Sequence, residues 1–236
     1  MEKRLIIVLA IFSLIACSKD NDTVEIKELP TFSGLFVNSS FNIEIHPDTA
    51  FKIVLSGSAD IIEEIDVSMI ADTLVIENNF SAEWLRPRDN SIQIDLYCDS
   101  LKRIVLNESC NLTSSGPMRS DEIGLIAVSR LNIVDLEFDA NTVFYWNNFP
   151  CNGSIVFSGA TENLKIWNTA LMSVDASNLS SSYVLVENDS GVECRVIANA
   201  VLEYSITGAG NVLVSGSPDV ISAGELTGSG QLILLD

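Results

Sequence analysis

Apolar and polar residues alternate along most of the chain in short runs. The runs include 41–45, 51–55, 74–76 and 92–96, and Gly, Asn, Asp and Ser separate them. Because successive side chains of a strand point to opposite faces, this pattern predicts half-buried β-strands. Helical spacing is confined to 58–69, where we expect one short helix or turn. The chain is therefore predicted to be all-β, with a single core.

The turns between the runs recur at regular intervals after Leu101. Their centres lie at Cys110, Leu131, Gly153, Leu171, Gly191, Gly210 and Gly230. This regular spacing in a β-rich sequence, with a period of about 20 residues, predicts a solenoid in which each coil buries its apolar face against the next. A β-sandwich or meander is the alternative, although neither requires such a period. The coil boundaries between Asn141 and Gly191 stay open.

Stacking the turns also aligns particular residue types. Asn or Thr stands three positions before five turn centres, which predicts a hydrogen-bonded ladder of Asn107, Asn168, Asn188, Thr207 and Thr227. Apolar residues two positions after the centres predict an inward column of Leu112, Ile133, Ile155, Val212 and Leu232. The register breaks in two coils, where Val174 and Val192 are expected to fill the column.

The Thr-Gly-x-Gly turns at 207–210 and 227–230 are the best-preserved part of the repeat. Residues 208–213 lack the third glycine of a dinucleotide-binding loop, and a strand pattern rather than a helix follows them. We assign these glycines to a left-handed backbone conformation at the turn rather than to phosphate binding.

Two parts of the sequence resemble a known family. Residues 31–78 resemble the opening of the family named putative auto-transporter adhesin, head GIN domain, and the Gly-rich turns at 206–230 are similar to its repeated Gly-Ser-Gly turns. The resemblance covers about Leu29 to Asp236. It implies a right-handed parallel β-helix, with the N-terminal β segment packed onto or continuing the helix. It also implies a Bacteroidetes lipoprotein or secreted adhesin, and it supplies no catalytic residues.

The N-terminus is predicted to be an export signal. Lys3 and Arg4 precede an apolar stretch at 5–15 that is too short to span a bilayer. The stretch ends in Leu-Ile-Ala-Cys at 14–17, which resembles a bacterial lipobox. We expect a signal peptide over 1–17, a lipid on Cys17 as the membrane anchor, a flexible tether over 18–28 and the GIN-like domain over 29–236. An ordinary secretory signal is the alternative.

The location of the anchored domain rests on the start of the tether. The acidic stretch at 18–22 is similar to the tag of surface-displayed Bacteroidetes lipoproteins. We therefore predict an outer membrane lipoprotein exposed at the cell surface, with the periplasmic face as the alternative. A net charge of −19 argues against nucleic acid as a partner, because the chain offers no basic patch for phosphates.

The sequence predicts no enzyme, metal ion or cofactor. His46 precedes Pro47 and is interpreted as a solvated turn residue. The spacing of Cys98, Cys110, Cys151 and Cys194 is not typical of a metal site, and we expect buried free thiols, with disulfides left open. A polysaccharide-active β-helix enzyme is a weaker alternative, because the basic residues are scattered: Arg103, Arg119, Arg130, Lys165 and Arg195.

The aromatic residues give the clearest hypothesis for binding. Trp146 and Trp167 stand one repeat apart, in equivalent positions of adjacent coils. If Tyr145 and Ile166 point inward, both indoles point outward and form a strip with Phe144. Exposed indoles suit a glycan or a surface protein. The alternative is that a loop, such as the one carrying Trp84, covers the strip.

Two further features concern modification and assembly. Thr23 and Thr49 lie in Asp-Thr-apolar tripeptides, which resemble the acceptor of Bacteroidetes O-glycosylation. The stretch at 231–236 ends inside a coil, so we expect a homodimer through the C-terminal coil. Together these expectations describe a non-catalytic, lipid-anchored adhesin or binding scaffold that presents one flank of a β-helix. The alternative is a periplasm-facing structural lipoprotein.

Overall fold

A computed structural model describes residues 22–79, 92–128, 130–148 and 150–235. About 70% of the chain is strand and about 2% is helix, and the strands form a β-solenoid of about six turns. The predicted β-helix is therefore confirmed. The signal peptide, Cys17 and Trp84 lie outside the described residues.

Seventeen strands and one short helix follow one another along the described chain. They are β1 (Asp22–Glu28), β2 (Gly34–Val37), β3 (Phe41–Pro47), β4 (Lys52–Ser58), α1 (Ala59–Ile62), β5 (Ile65–Ile70), β6 (Thr73–Asn78), β7 (Gln93–Cys98), β8 (Arg103–Leu106), β9 (Cys110–Ser114), β10 (Met118–Ala127), β11 (Leu131–Asn147), β12 (Asn152–Asn168), β13 (Leu171–Asn188), β14 (Cys194–Ile206), β15 (Val212–Ser215), β16 (Val220–Leu226) and β17 (Leu232–Leu234).

The strands stack in parallel into two series, and the long strands β11–β14 contribute to both. The outer surface of the first series is called the aromatic face; its strands are β6, β2, β8, β10, the last parts of β11–β14, and β16. The outer surface of the second series is called the histidine face; its strands are β7, β3, β9, the first parts of β11–β14, β15 and β17.

The N-terminal coils do not stack in chain order. β2 pairs with both β6 and β8, and β3 pairs with both β7 and β9. The coil formed first in the chain therefore lies between two later ones. β4 runs antiparallel to β7, and β5 runs antiparallel to β6, so these two strands close the N-terminal end. The N-terminal segment thus both continues the helix and caps it.

The tether predicted over 18–28 is wrong for residues 22–28. This segment is β1, which pairs antiparallel with β4 from Asp22↔Ser58 to Glu28↔Lys52. Val24 and Ile26 are 62% and 60% exposed, so the strand is held by backbone pairing rather than by burial of its side chains. Its only signal in the sequence is the short alternation of Val24 and Ile26 among charged and polar residues, which is also typical of a solvated linker.

The inward column follows a different register from the predicted one. Leu112, Val134, Ile155, Val174, Cys194, Val212 and Leu232 are register partners in successive coils. Ile133, predicted to face inward, is 49% exposed, and Cys194 rather than Val192 fills the column. A slip of one residue reverses the facing of a side chain, which explains the error at Ile133, whereas Val192 lies before the start of β14 and cannot join the column.

The polar ladder exists, but with different members. Asn147, Asn168 and Asn188 are buried, and Asn168 and Asn188 are register partners. Asn147 Nδ2 donates to Asn168 Oδ1 at 2.6 Å, and Asn168 Nδ2 donates to Asn188 Oδ1 at 3.3 Å. Asn107 instead donates to Asn38 in an outer column. Thr207 donates to the exposed Asp189 carboxylate, and Thr227 donates to Glu225.

The glycines of the repeated turns are needed for close stacking. A Cβ at Gly210 would collide with the carbonyl of Val192, and one at Gly230 would collide with the carbonyl of Gly210. Neither glycine has a positive φ; that conformation occurs elsewhere, as at Gly153. The prediction of a left-handed conformation at these turns is therefore wrong, because contact between coils sets the requirement.

Candidate functional site

The two tryptophans lie side by side on the aromatic face. Tyr145 and Ile166 are fully buried register partners, so the residues that follow them face outward. Trp146 and Trp167 are themselves register partners on adjacent coils. Trp146 is 36% exposed, and Trp167 is half-buried. The outward placement of both residues agrees with the prediction.

The tryptophans end a longer apolar stripe that crosses five strands. Trp146 pairs with Ile126, Ile126 with Val105, and Val105 with Phe36. These outward residues are at least partly exposed, and with the two tryptophans they form what we call the outer stripe. Beyond Trp167 the next register partner is the exposed Glu187, which ends the stripe. Sequence reasoning missed Phe36 because the stacking order of the N-terminal coils is not the chain order.

Phe144 lies beside the outer stripe and contacts a cation. Its register partner on β10 is Gly124, and a Cβ at that position would collide with the phenyl ring. The glycine lets the ring reach one strand further, to Arg103, whose guanidinium carbon is 5.3 Å from the ring centroid. Lys165 is the register partner of Phe144 on the other side. Arg103 therefore contacts the aromatic ring, and Lys165 stands on the neighbouring strand, in a protein whose net charge is strongly negative.

A polar hollow lies at the corner that follows the outer stripe. Its lining residues are Asn38, Ser39, Ser40, Glu108, Ser109 and Arg130. Arg130 Nε pairs with Glu108 Oε2 at 2.9 Å, and Asn107 Nδ2 donates to Asn38 Oδ1 at 2.7 Å. Phe36 stands two residues before Asn38, so the hollow continues the stripe with hydrogen-bonding groups.

The basic residues named from the sequence do not converge on one site. Arg119 Nε pairs with Asp139 Oδ2 at 3.0 Å, and Arg195 pairs with Glu193 at 2.7 Å. With the Arg130 pair in the hollow, these three guanidinium groups are each bound to a different carboxylate. Arg103 and Lys165 lie beside Phe144, as described above.

The four cysteines are buried and unbridged, as expected: Cys98, Cys110, Cys151 and Cys194. Burial raises the thiol pKa of Cys98, Cys110 and Cys194 to about 12. Asn168 Nδ2 lies 3.5 Å from the Cys194 sulfur. A thiol with such a pKa carries almost no thiolate at neutral pH, so these cysteines are structural rather than nucleophilic.

His46 is not the solvated turn residue that the sequence suggested. It lies within β3, which continues through Pro47 by pairing with β7 as far as Cys98. Its half-buried ring stands beside Glu44 and Asp95 on the histidine face. Asp95 comes from a strand 49 residues later in the chain, so sequence spacing gave no signal for this cluster.

Thr23 and Thr49 are both exposed. Thr23 lies in β1, and Thr49 lies in the turn that follows β3. In that turn the backbone N–H of Ala50 donates to Asp48 Oδ1 at 3.0 Å, and this bond lowers the pKa of the Asp48 carboxyl. Thr23 and Thr49 are therefore both accessible to a modifying enzyme.

Comparison with known proteins identifies the family. Residues 31–218 match the family described as "Putative auto-transporter adhesin, head GIN domain". The chain belongs to this family. The match covers the GIN domain from just after β1 to just before β16. No curated protein matches the chain significantly.

Solved structures share the fold of this GIN domain. A putative adhesin from Bacteroides fragilis superposes with a TM-score of 0.80 at 16% identity, covering 91% of this chain and 97% of the relative. A putative adhesin from Parabacteroides distasonis gives 0.64 at 14% identity, with coverages of 92% and 98%. A putative lipid binding protein from the same species gives 0.58 at 15% identity, again with 92% and 98%.

The family and these putative adhesins carry descriptions of adhesion rather than of an enzyme. Such a family is typical of the cell envelope or cell surface. Within the described parts of the GIN domain, no helix is long and apolar enough to cross a membrane.

Proposed function

We propose that this GIN domain is a non-catalytic binding scaffold, which a lipid on Cys17 holds at the outer membrane and which presents its aromatic face to a glycan. The observation that carries the proposal is the pairing of Trp146 with Trp167 on adjacent coils, both facing outward. Parallel strands lie about 4.8 Å apart, so the two indoles offer a ligand neighbouring apolar surfaces.

Three features of the face favour a glycan over a protein partner. The two tryptophans occupy only two adjacent strands, the outer stripe leads to the polar hollow, and Arg103 contacts Phe144, whose register partner is Lys165. An apolar ring surface edged by hydrogen-bonding and cationic groups suits the apolar face, hydroxyls and acidic substituents of a sugar. A protein partner would be expected to need a wider contact area.

The proposed anchor sets the orientation of the scaffold. β1 begins at Asp22, and five residues of chain span at most about 18 Å. A lipid on Cys17 would therefore keep the capped N-terminal end near the membrane and direct the C-terminal coils away from it.

Display at the cell surface is tested by protease treatment of intact cells. A domain that stays protected until the outer membrane is opened would favour the periplasmic alternative.

The glycan proposal is tested with the full-length protein on a glycan array. Trp146→Ala and Trp167→Ala are expected to lower binding by about tenfold or more each, since base–aromatic stacking of comparable area is worth about 1–3 kcal/mol. Leu131→Ala and Leu171→Ala are matched controls, because both side chains are exposed on strands of the histidine face. Equal binding by the tryptophan variants, or no glycan binding by the unaltered protein, would count against the proposal.

The polar hollow gives a specific reason to test a second function. Glu108 and Arg130 bring a carboxylate and a cationic group together, the two kinds of group that an enzyme acting on an acidic polysaccharide would need. Their ion pair supports a structural role instead, because each charge is already neutralised by the other. Cleavage of an acidic polysaccharide by the unaltered protein, abolished by Glu108→Gln, would replace the binding proposal with the enzymatic one.

A homodimer through the C-terminal coil is part of the same proposal. All seven residues of β16 are exposed, and the apolar ones include Val220, Ile221 and Leu226. An apolar strand surface of this kind at the end of a solenoid is suited to contact with a second copy.

A further inference from the structure

We infer that Glu44, His46 and Asp95 form a binding site for a divalent transition metal ion, best suited to Zn²⁺, on the histidine face. His46 Nε2 lies 3.4 Å from Asp95 Oδ1 and 3.9 Å from Glu44 Oε2. One ligand atom from each of the three residues lies within 4.8 Å of the others.

The strand register explains why the three groups meet. Glu44 and His46 are two residues apart on β3 and therefore face the same side. Asp95 is the direct partner of Glu44 on the neighbouring strand β7. This arrangement fixes the three side chains on rigid strands rather than on a loop, so the cost of ordering them is small.

The distances fit a metal ion better than a hydrogen bond. One imidazole N–H cannot bond two carboxylates well, and 3.4 Å and 3.9 Å are long for such bonds. Nitrogen and oxygen ligands bound to zinc at about 2.0–2.2 Å in tetrahedral geometry lie about 3.3–3.6 Å apart. Small side-chain rotations would therefore bring all three atoms onto one ion.

The orientation of the imidazole is supported from its other side. The Tyr97 ring stacks on the His46 ring with centroids 4.6 Å apart and an interplanar angle of 17°. Lys52 Nζ lies 4.3 Å from the Tyr97 centroid, on the strand beyond it. The stack limits rotation of the imidazole ring that would carry the ligand nitrogen.

The ligand types select the class of metal. Ca²⁺ and Mg²⁺ prefer oxygen ligands alone, whereas imidazole favours Zn²⁺, Cu²⁺ and Ni²⁺. Two carboxylates and one neutral imidazole also balance a divalent charge. The three side chains are half-buried, so water can occupy a fourth position. This is the open coordination that zinc adopts when only three protein ligands bind it.

The site is tested on the full-length protein by isothermal titration with Zn²⁺ and by visible absorption with Co²⁺. One equivalent is expected to bind. His46→Ala should weaken binding by about a hundredfold or more, since loss of even an outer-shell partner costs roughly 10–100-fold. Glu44→Gln, which preserves the Tyr97 stack, should also weaken it by about tenfold or more. Asp135→Asn is the matched control, an exposed carboxylate on the same face outside the cluster.

Two results would overturn the inference. One is the absence of stoichiometric Zn²⁺ and Co²⁺ binding near neutral pH in the folded protein. The other is binding that His46→Ala and Glu44→Gln leave unchanged, which would place the ion elsewhere, for example on cysteine. Circular dichroism of each variant separates loss of the ligand from loss of the fold. Glycan binding by the aromatic face is measured separately and does not depend on the metal.

Discussion

The strands at the two ends of the solenoid pair in different ways. At the N-terminal end, β4, β5 and β1 run antiparallel to the coils or to each other and cover the last parallel strands. At the C-terminal end, β16 and β17 pair only in parallel with earlier coils within the described residues, and β16 is exposed throughout. The family match also ends before β16. One end is therefore covered by antiparallel strands, whereas no antiparallel strand covers the last described coil at the other.

The largest expected difference between the ends concerns single core residues. Leu55 in β4 is fully buried, so Leu55→Ala should lower the free energy of unfolding by about 2–5 kcal/mol. Leu234 in β17 is 57% exposed, and Leu234→Ala should change it by less than about 0.5 kcal/mol. Urea denaturation measures both. Equal losses would mean that the C-terminal coil is as well packed as the cap.

The stability of the coils between the two ends is expected to depend on the asparagine ladder. Asn168→Ala removes the acceptor of Asn147 and leaves buried polar groups unpaired, at a cost of about 1–3 kcal/mol. Asn199→Ala, which breaks an exposed bond to Ser180, is the control and should cost less than about 0.5 kcal/mol. Comparable thermal stability of the two variants would show that the ladder contributes little.

Thiol labelling is expected to be about tenfold faster at the C-terminal end than at the capped end, which corresponds to a free energy of local opening lower by about 1.4 kcal/mol. Burial raises the thiol pKa of both Cys98 and Cys194 to about 12. At pH 8, neither thiol therefore reacts while the surrounding structure stays folded. Labelling of each requires opening, after which its pKa returns to the ordinary value near 9. Both rates should therefore rise with pH and level off above about 9.

Cys98 lies in β7, directly under the cap, and Cys194 lies in β14, next to β15 and β16. We expect Cys194 to be labelled faster, as measured by mass spectrometry of peptides after timed alkylation. Faster labelling of Cys98 would mean that the capped end opens more readily than the C-terminal end.

The smallest effect on stability is expected from charges introduced on the surface of the C-terminal end. Val220→Lys with Ile221→Lys should change the free energy of unfolding by less than about 0.5 kcal/mol, since both side chains are already exposed. The same change should convert a dimer to a monomer in light scattering. Ile70→Lys, an exposed apolar residue in β5 of the cap, is the matched control and should leave the dimer intact. A monomeric unaltered protein at high concentration would contradict the proposed contact.

Sequence analysis predicts best where stacking follows chain order. Trp146 and Trp167 were paired correctly because both follow a buried residue and β11 and β12 pair around them without a register shift. Phe36 and Asp95 could not be placed, since β2–β3 lies between coils that come later in the chain. Ile133 was misplaced because the repeat length varies slightly between coils, and a slip of one position is enough to reverse a side chain.

The position of β2–β3 between two later coils has a consequence for how the chain folds. Both edges of this strand pair stay open until β6–β7 has returned to one side and β8–β9 has reached the other. The first coil is therefore complete only when residues up to Ser114 have joined it, so its assembly depends on contacts between distant parts of the chain. Until then the two unpaired edges are open to pairing with other chains, and the finished solenoid covers both of them.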